Sequence, residues 1–383
     1  MDSPRNQVAL DGSFLAQPAT GVGQYTLNLW RKFSRSSVQP NVVLLRPGLN
    51  FDGDQEREIR IPPPRFARSN KALKIWWEQV GVLQALRTSG CALLHVPYLS
   101  APRATRRRTV VTIHDVIPMI YPEYGGSTPM RMYLRLVVPA ARRAVSILTD
   151  SECSRRDIVR LLHIDQRKVR SIPLAASDEF QPTVGGSAGE ELRQRFELHG
   201  PIIFNVGGLD VRKNLSTLVE AFGRAMPSLD QKTLLVIAGK GHTGNTGLYP
   251  PLEPVIKKLG LEGSVRLIGR ISEDEKRILY QISDVYAYPS LYEGFGLTPL
   301  EAMACGLPVI ASNRSSLPEV VGSGGLLVDP TPARLAAAMV SVLTDEQLRR
   351  DLHQRALDQA AHFSWERTAD ETREAYRDAL GHT

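Results

Sequence analysis

Short apolar runs rich in valine and isoleucine alternate along this chain with longer amphipathic segments. Such short runs favour buried strands, whereas apolar positions three or four residues apart favour helices that cover a sheet. The predicted strands are 8–10, 42–45, 92–96, 109–113, 146–149 and 169–172, followed by 202–206, 233–238, 265–268, 285–288 and 309–312. Because helical segments separate most of these runs, the pattern predicts an α/β protein with two parallel sheets.

The alternation is interrupted between residues 172 and 201, in a segment rich in proline and glycine that is typical of a linker. We therefore predict a first domain of residues 1–177, a second of 178–363 and a last helical segment of 364–383. In sheets of this kind ligands bind at the carboxyl ends of the strands, in a cleft between paired domains. Polar residues that directly follow predicted strands are therefore the candidates for function.

Composition fits two globular domains. The 383 residues are 42% hydrophobic and 23% charged, which allows two buried cores. No apolar run approaches the roughly 18–20 residues of a membrane span, and we expect no secretory leader. Cys91, Cys153 and Cys305 are scattered and odd in number, so they predict a reduced, cytoplasmic protein without a disulfide framework or a zinc site.

Basic residues are concentrated in the first half of the chain. The net charge is +7, and residues 1–182 contain 26 lysines and arginines against 15 acidic residues. This excess favours an anionic partner such as lipid headgroups or a lipid-linked diphosphate, and an ordinary solvated surface is the alternative. Nucleic acid is not expected, because no nucleic-acid-binding motif accompanies the charge. The densest clusters are 106–108, 142–143, 155–156 and 167–170.

A glycine-spaced acidic loop follows the predicted strand 285–288. It contains Glu293 and leads into a helix that we expect Thr298 to cap and Pro299 to begin. Glycines let backbone N–H groups approach a ligand, and a helix N-terminus favours phosphate. Glu293 and Glu301 could accept hydrogen bonds from sugar hydroxyls beside that phosphate. The alternative is a capping box, in which Glu301 only satisfies a backbone donor near Thr298.

A cationic loop follows the predicted strand 202–206 and contains Gly208, Arg212 and Lys213 directly before a helix. Two cations at the positive end of a helix are unfavourable unless an anion neutralises them. A diphosphate leaving group would do so, since arginine offers a two-pronged donor and lysine a point charge. An exposed basic turn is the alternative.

The first half of the chain contains weaker candidates. Gly21 and Gly23 belong to a truncated dinucleotide-binding pattern after the first strand, and His114 follows the strand 109–113. Asp52 and Asp54 resemble a metal-binding Asp-x-Asp pair only weakly, because they lie in a polar loop. The adjacent Trp76 and Trp77 could contact a lipid or glycan acceptor, or pack in the core.

Together these segments resemble the retaining glycosyltransferases of family 4, which have the GT-B fold, and among them bacterial group 1 mannosyltransferases. PSLYEGFGLTPLEAMACGLPVIASN (289–313) resembles the family's Glu-x7-Glu signature, with Glu293 and Glu301 as its glutamates. NVGGLDVRKN (205–214) resembles the donor-phosphate loop, although many members have an arginine where Gly208 stands. TGVGQYTLNL, TIHDVIP, SECSRRD and SLPEVVG also match, so the resemblance spans nearly the whole chain.

The resemblance implies two Rossmann-like domains facing each other across a cleft, with the last helix crossing back to the first domain. Arg212 and Lys213 would neutralise the diphosphate, Glu301 would bind the ribose, and His114 would contact the transferred sugar. The catalytic set would be His114, Arg212, Lys213 and Glu293. The donor-binding set would be Gly21, Gly23, Gly208, Arg212, Lys213, Ile271, Glu293, Gly294, Phe295, Gly296, Leu297, Thr298 and Glu301.

The implied reaction transfers a sugar, with retained configuration, from a nucleoside diphosphate sugar to a glycan or lipid-linked acceptor. GDP-mannose is the donor that the resemblance favours, and neither a metal nor another cofactor is expected. The enzyme would be cytoplasmic and would contact the anionic inner face of the plasma membrane peripherally. A sugar-nucleotide 2-epimerase of the same fold and a catalytically silent scaffold are the alternatives.

Overall fold

A computed structural model describes residues 7–17, 20–48, 57–64, 69–126, 128–182, 186–239 and 247–381. The chain forms two compact units. The first contains residues 1–174 together with 365–383, and the second contains residues 175–364.

The strands form two sheets, one in each unit. Those of the first unit are β1 (Gln7–Asp11), β2 (Asn41–Pro47), β3 (Glu58–Ile61), β4 (Leu93–Val96), β5 (Arg108–Thr112), β6 (Ser146–Thr149) and β7 (Val169–Ser171). Those of the second unit are β8 (Ile202–Val206), β9 (Leu234–Ala238), β10 (Val265–Gly269), β11 (Val285–Tyr288), β12 (Val309–Ser312) and β13 (Leu326–Val328).

The helices follow the strands along the chain. Those preceding the second unit are α1 (Gly21–Ser34), α2 (Asn70–Trp76), α3 (Val82–Ser89), α4 (Ile117–Ile120), α5 (Pro122–Gly125), α6 (Thr128–Arg142) and α7 (Glu152–Leu162). The remainder are α8 (Ser187–Arg195), α9 (Leu215–Ala225), α10 (Glu253–Lys258), α11 (Glu273–Ile282), α12 (Leu297–Ala304), α13 (Leu317–Val321), α14 (Pro332–Thr344), α15 (Glu346–Ala360) and α16 (Trp365–Leu380).

Both sheets are wholly parallel within the described residues and share one strand order. The first runs β3-β2-β1-β4-β5-β6-β7 and the second β10-β9-β8-β11-β12-β13. In the first sheet, β2 and β3 are added in turn on one side of β1, and β4 then pairs with the opposite side of β1. In the second sheet, β9 and β10 lie on one side of β8 and β11 pairs with its opposite side. The strand order therefore reverses between β1 and β4 and between β8 and β11. Loops at the carboxyl ends beside such a reversal are where doubly wound sheets bind ligands.

The predicted α/β class with two parallel sheets is confirmed. Every predicted strand is present, but β3 and β13, which each form one edge of a sheet, were missed.

Helix α16 follows the second unit in sequence and belongs to the first unit in space. Trp365 and Tyr376 on this helix are each at most 2% exposed. The hydroxyl of Tyr376 lies 2.6 Å from Nδ1 of His95 on β4, and Nε2 of His95 lies 2.8 Å from the hydroxyl of Thr112 on β5. The last helix therefore completes the core and the buried hydrogen bonds of the first unit.

Helices α2 and α3 are joined by a π-helical turn, Trp77–Gly81, into one continuous segment that covers the first sheet. Trp77 is 1% exposed, and its indole N–H donates to Asp11 at 2.8 Å, at the end of β1. In the part of the chain that the structure describes, no helix has the length and apolar character needed to cross a bilayer.

Candidate functional site

Two loops meet at the strand reversal of the second sheet. The loop after β8 contains a 3₁₀ turn, Val211–Lys213, which ends where Asn214 adopts the left-handed conformation (φ 56°) directly before α9. The loop after β11 lies beside it, and the Leu291 N–H donates to the carbonyl of Arg212 at 2.8 Å. This contact holds the cationic loop and the acidic loop together at one edge of the sheet.

Arg212, Lys213 and Glu293 form one largely buried cluster at this edge. The Glu293 carboxylate lies 2.8 Å from Nη1 of Arg212 and 2.7 Å from Nζ of Lys213. It also accepts a hydrogen bond from the Tyr288 hydroxyl at 2.8 Å. Asp210 lies 3.5 Å from Nε of Arg212, so the two cations are balanced by two carboxylates. The two loops can form this cluster because β8 and β11 are neighbours in the sheet.

The charges in this cluster shift one another's pKa values. Burial alone would raise the pKa of Glu293, but Arg212 and Lys213 outweigh burial and lower that pKa to about 2. Burial lowers the pKa of Lys213, and the charge of Glu293 opposes this shift only in part. Glu293 is therefore ionised at neutral pH, and both cations are kept close together at a fixed position.

The helix that follows Glu293 begins earlier than predicted. Its N-cap is Gly296 and its first residue is Leu297, so the prediction that Thr298 caps it and Pro299 begins it was wrong. Gly296 has φ 113°, a backbone conformation that other residues rarely adopt, so this position favours glycine. A Cβ atom there would also lie 2.9 Å from Cδ2 of Leu317 on α13. Gly294 and Phe295 are buried in the turn that leads into the helix.

Glu301 does not act as a helix cap. It is 3% exposed, and its carboxylate lies 2.9 Å from Nζ of Lys276 on α11 and 3.3 Å from the hydroxyl of Tyr280. The capping-box alternative is therefore wrong. Burial raises the pKa of Glu301, with Lys276 opposing the shift. For Lys276, burial would lower the pKa, but the charges of Glu301 and Glu273 raise it.

Two further predicted donor residues lie on neighbouring connections of the second unit. Gly208 lies in the loop after β8, where a Cβ atom would be 2.8 Å from Oδ2 of Asp210. Ile271 is half-buried between β10 and α11, one residue before Ser272, which caps α11 in a capping box with Glu275.

The remaining predicted residues belong to the first unit. Nδ1 of His114 lies 2.7 Å from Oδ2 of Asp150, and its ring lies against that of Tyr25 with 4.9 Å between centroids. Burial would lower the pKa of His114, but the charge of Asp150 raises it. Gly21 and Gly23 begin α1, and the Thr20 hydroxyl accepts a hydrogen bond from the Gly23 N–H at 3.1 Å.

The structure therefore brings Arg212, Lys213 and Glu293 together and places Glu301 in a second buried ion pair of the same unit. The sequence did not reveal Lys276 as the partner of Glu301 or Asp150 as the partner of His114. Asp150 directly follows β6, which is a signal that could have found it, whereas Lys276 lies on a helix remote in sequence from Glu301. Among the described residues, no group of three or more histidine, cysteine or acidic side chains is arranged to hold a metal ion. Asp52 and Asp54 lie outside the described residues.

Solved structures share this fold over nearly the whole chain. A glycosyltransferase from Rickettsia africae is 18% identical, with a TM-score of 0.73, covering 99% of this chain and 99% of that one. Anabaena Alr3699/HepE in complex with UDP and glucose is also 18% identical, with a TM-score of 0.74, covering 97% and 100%. With two doubly wound sheets and this likeness, the chain has the GT-B fold of glycosyltransferases.

Family models and sequence relatives identify the family within this fold class. Residues 19–179 match the model for Glycosyltransferase Family 4, and residues 190–359 match that for Glycosyl transferases group 1. O-antigen chain mannosyltransferase B of Escherichia coli is 29% identical over 376 residues, covering 94% of this chain and 96% of that protein. The serotype-specific mannosyltransferase WbdA of Escherichia coli is 32% identical over 267 residues, covering 68% of this chain but only 32% of that longer protein. The chain belongs to the group 1 glycosyltransferases of family 4.

Proposed function

We propose that this glycosyltransferase moves a mannosyl group from GDP-mannose to a glycan or lipid-linked acceptor, with retained configuration. The names of its relatives support mannose as the sugar, since two of them are mannosyltransferases. A nucleoside diphosphate as the leaving group is supported by Alr3699/HepE, which shares the fold and is in complex with UDP and glucose.

The observation that carries the proposal is the largely buried pair of cations, Arg212 and Lys213, held at the carboxyl edge of the second sheet. A sugar C1–O bond breaks more readily when the departing diphosphate meets fixed positive charge in a place that excludes water. The two side chains are oriented by Glu293 before any ligand binds, so little reorganisation is needed in the transition state. Backbone N–H groups at the start of α12, from Gly294 to Thr298, add further donors for a phosphate.

Other residues take the roles that the family resemblance implies. Glu301 holds the ribose, Glu293 and the turn at Gly294 hold the donor sugar, and His114 contacts that sugar. Glu293 is poorly placed to act as a nucleophile, because both of its oxygens are bound by cations. Retention then results from attack of the acceptor on the face that the diphosphate leaves, and the phosphate takes the hydroxyl proton.

We also propose that neither a metal ion nor another cofactor takes part, because Arg212 and Lys213 offer the diphosphate charged N–H donors that Glu293 holds in place. The excess of basic residues in the first half of the chain supports peripheral contact with an anionic membrane surface at the cytoplasmic face, where lipid-linked acceptors would be met.

The function is tested by screening the protein against a panel of nucleotide sugars by thermal shift, followed by NMR of the stabilising donor. We expect GDP-mannose to give the largest rise in melting temperature and to be consumed only when an acceptor is added. Epimerisation of the donor by the enzyme alone would replace the transferase proposal. A larger shift with a UDP-sugar would overturn the donor.

A further inference from the structure

His114 and Asp150 lie opposite each other where two neighbouring strands of the first sheet end. In the register of β5 and β6, Thr112 pairs with Leu148, and the Ile113 N–H still donates to the Leu148 carbonyl at 2.8 Å. His114 and Asp150 each come two residues after this pair, so the strand pairing itself brings them together. Nδ1 of His114 lies 2.7 Å from Oδ2 of Asp150.

Both ring nitrogens of His114 face oxygen atoms that accept hydrogen bonds. Nδ1 faces the Asp150 carboxylate, and Nε2 lies 3.2 Å from the carbonyl of Pro97. A neutral imidazole has one N–H group and one bare nitrogen, so it can donate to only one of these two oxygens. The bare nitrogen would then place its lone pair against that of an acceptor. Only the imidazolium, which has two N–H groups, satisfies both contacts.

His95 in the same unit has partners of a different kind. Its ring nitrogens lie 2.6 Å from the hydroxyl of Tyr376 and 2.8 Å from that of Thr112. A hydroxyl can donate as well as accept, so a neutral ring satisfies both contacts. Burial and the neighbouring charge of His114 lower the pKa of His95 to about 3. The partners of the two rings therefore predict one neutral histidine and one charged histidine.

The charge of Asp150 also calls for a protonated His114. Asp150 is 4% exposed, and within the described residues no lysine or arginine lies within ion-pair distance of it. A buried carboxylate that lacks a counter-charge is strongly unfavourable. Burial by itself would lower the pKa of His114, but the charges of Asp150 and Asp115 outweigh burial and raise it. The titratable groups that face His114 are Asp150, Asp115, His95, Tyr25, Tyr98 and Tyr133.

The ring of His114 is held by neighbouring helices and still reaches a cavity. The Tyr25 ring on α1 lies edge-on to it, with 4.9 Å between centroids, and the Ser154 hydroxyl on α7 donates to the His114 carbonyl at 3.0 Å. The His114 side chain is 14% exposed, and it lines a cavity of about 130 Å³ together with Val22, Tyr98 and others. Its Nε2 contact is the longer of the two, so this N–H is the one that a ligand hydroxyl could share.

We infer that Asp150 is a positioning residue that holds His114 as a doubly protonated imidazolium at neutral pH, so that His114 meets the donor sugar as a charged hydrogen-bond donor and not as a base. This role rests on the proposed function, in which His114 contacts the transferred sugar. A charged N–H group donates a stronger hydrogen bond than a neutral one. An imidazolium has no lone pair for the proton of the acceptor hydroxyl, so that proton goes to the departing phosphate.

The protonation state is measured directly by long-range ¹H–¹⁵N NMR of the full chain labelled with ¹⁵N-histidine. The chain has eight histidines, and His114→Gln identifies the signal of His114 by its loss. We expect both ring nitrogens of His114 to carry protons at pH 7, with a titration midpoint above the ordinary value of about 6.5. The His95 ring should stay neutral. A neutral His114 ring at pH 7 would overturn the inference, and this measurement needs neither a donor nor a change at Asp150.

Asp150→Asn removes the counter-charge and keeps the size of the side chain. With less charge to oppose burial, the titration midpoint of His114 should fall below about 6.5. Mannosyl transfer by the wild type should decline at high pH, where the imidazolium loses its proton, and in the variant this decline should move to lower pH. At pH 8 the variant should lose about tenfold in kcat/KM, as the loss of a charge-assisted hydrogen bond does. Glu152→Gln, at an exposed carboxylate two residues away, is the matched control and should keep the wild-type profile.

Two results of these kinetics would also overturn the inference. If transfer by the wild type became faster as His114 lost its proton, the ring would be acting as a base. If Asp150→Asn and the wild type shared one pH profile, Asp150 would not control the ring. A chain that transferred no mannose from GDP-mannose would contradict the proposed function instead, and the NMR spectrum of His114 would still decide its protonation state.

Discussion

Replacing Lys276 with methionine should destabilise the second unit far more than an ordinary surface change, because it leaves Glu301 buried without its ion-pair partner. Lys276 is 8% exposed and Glu301 is 3% exposed, and their charged atoms are 2.9 Å apart. The methionine keeps most of the side-chain volume, so the loss of charge is the main change.

The magnitude follows from the burial of the pair. Removing one partner of a buried ion pair costs about 3–5 kcal/mol, since the other charge remains uncompensated. For a unit of this size, 1 kcal/mol corresponds to roughly 2–4 °C in melting temperature. We therefore expect Lys276→Met to lower the melting temperature by about 6–20 °C at neutral pH, as measured by differential scanning calorimetry.

The loss should depend on pH in a defined direction. The pKa of Glu301 is already raised by burial, and without Lys276 it rises further above the unfolded value of about 4.3. A carboxyl with a raised folded pKa binds protons more readily in the folded state, so stability falls as pH rises through that pKa. Relative to the wild type, the variant should therefore be least destabilised at low pH and most destabilised at neutral pH and above.

A second substitution separates stability from function. Lys276→Met with Glu301→Gln removes both charges and should recover most of the stability, but donor binding should remain weak because the ribose contact is gone. Lys257→Met, at an exposed lysine of α10, is the control and should change little. A loss below about 1 kcal/mol for Lys276→Met, with no pH dependence, would refute the view that this pair is a buried ionic one. Normal donor affinity in the double variant would refute the role of Glu301.

Four further outcomes are expected. Arg212→Ala or Lys213→Ala should lower kcat about 10²-fold by removing a contact to the leaving group, while the circular dichroism spectrum stays unchanged. Near-normal turnover would mean that these residues have only a structural role. Activity should persist in EDTA. If EDTA abolished activity and Mg²⁺ restored it, the proposal that the enzyme needs no metal would be contradicted. Alanine substitution of the arginines at 106–108 should reduce co-sedimentation with anionic liposomes. For the wild type, binding to these liposomes should be lost by about 0.5 M NaCl, because salt screens the charges. Equal failure to bind anionic and neutral liposomes would mean a merely solvated surface. Gly296→Ala should lower the free energy of unfolding by about 1–3 kcal/mol through backbone strain, measured by urea denaturation, and an unchanged midpoint would contradict the strain.

The alternating pattern predicted the fold class because central parallel strands are buried on both faces and are therefore continuously apolar. The missed strands lie at the sheet edges, where burial is weaker. Strand β3 reads Glu-Ile-Arg-Ile, with no apolar run, and β13 has only three residues. The apolar pattern that predicts a buried strand is weaker in an edge strand, because solvent surrounds part of it.

Strand order explains why three of the candidate residues lie together. Arg212, Lys213 and Glu293 follow β8 and β11, and these two strands are neighbours in the sheet. Their roles in binding and catalysis stay predictions. The sequence analysis weighed a sugar contact against a helix cap for Glu301 and did not foresee its ion pair with Lys276, which lies 25 residues earlier on a separate helix. A sequence shows which charges exist, but the partner of a buried charge is decided by how helices pack on the sheet.

The position of α16 has a consequence for synthesis of the protein on the ribosome. The first unit lacks Trp365 and Tyr376 until residues 175–364 have been translated, which at roughly 5–20 residues per second takes about 10–40 s. During that interval His95 is without its tyrosine partner, and the surface of α1 that α16 later covers is open to water. The second unit is contiguous in sequence and can fold as it emerges, so the domain synthesised first is the one that is completed last.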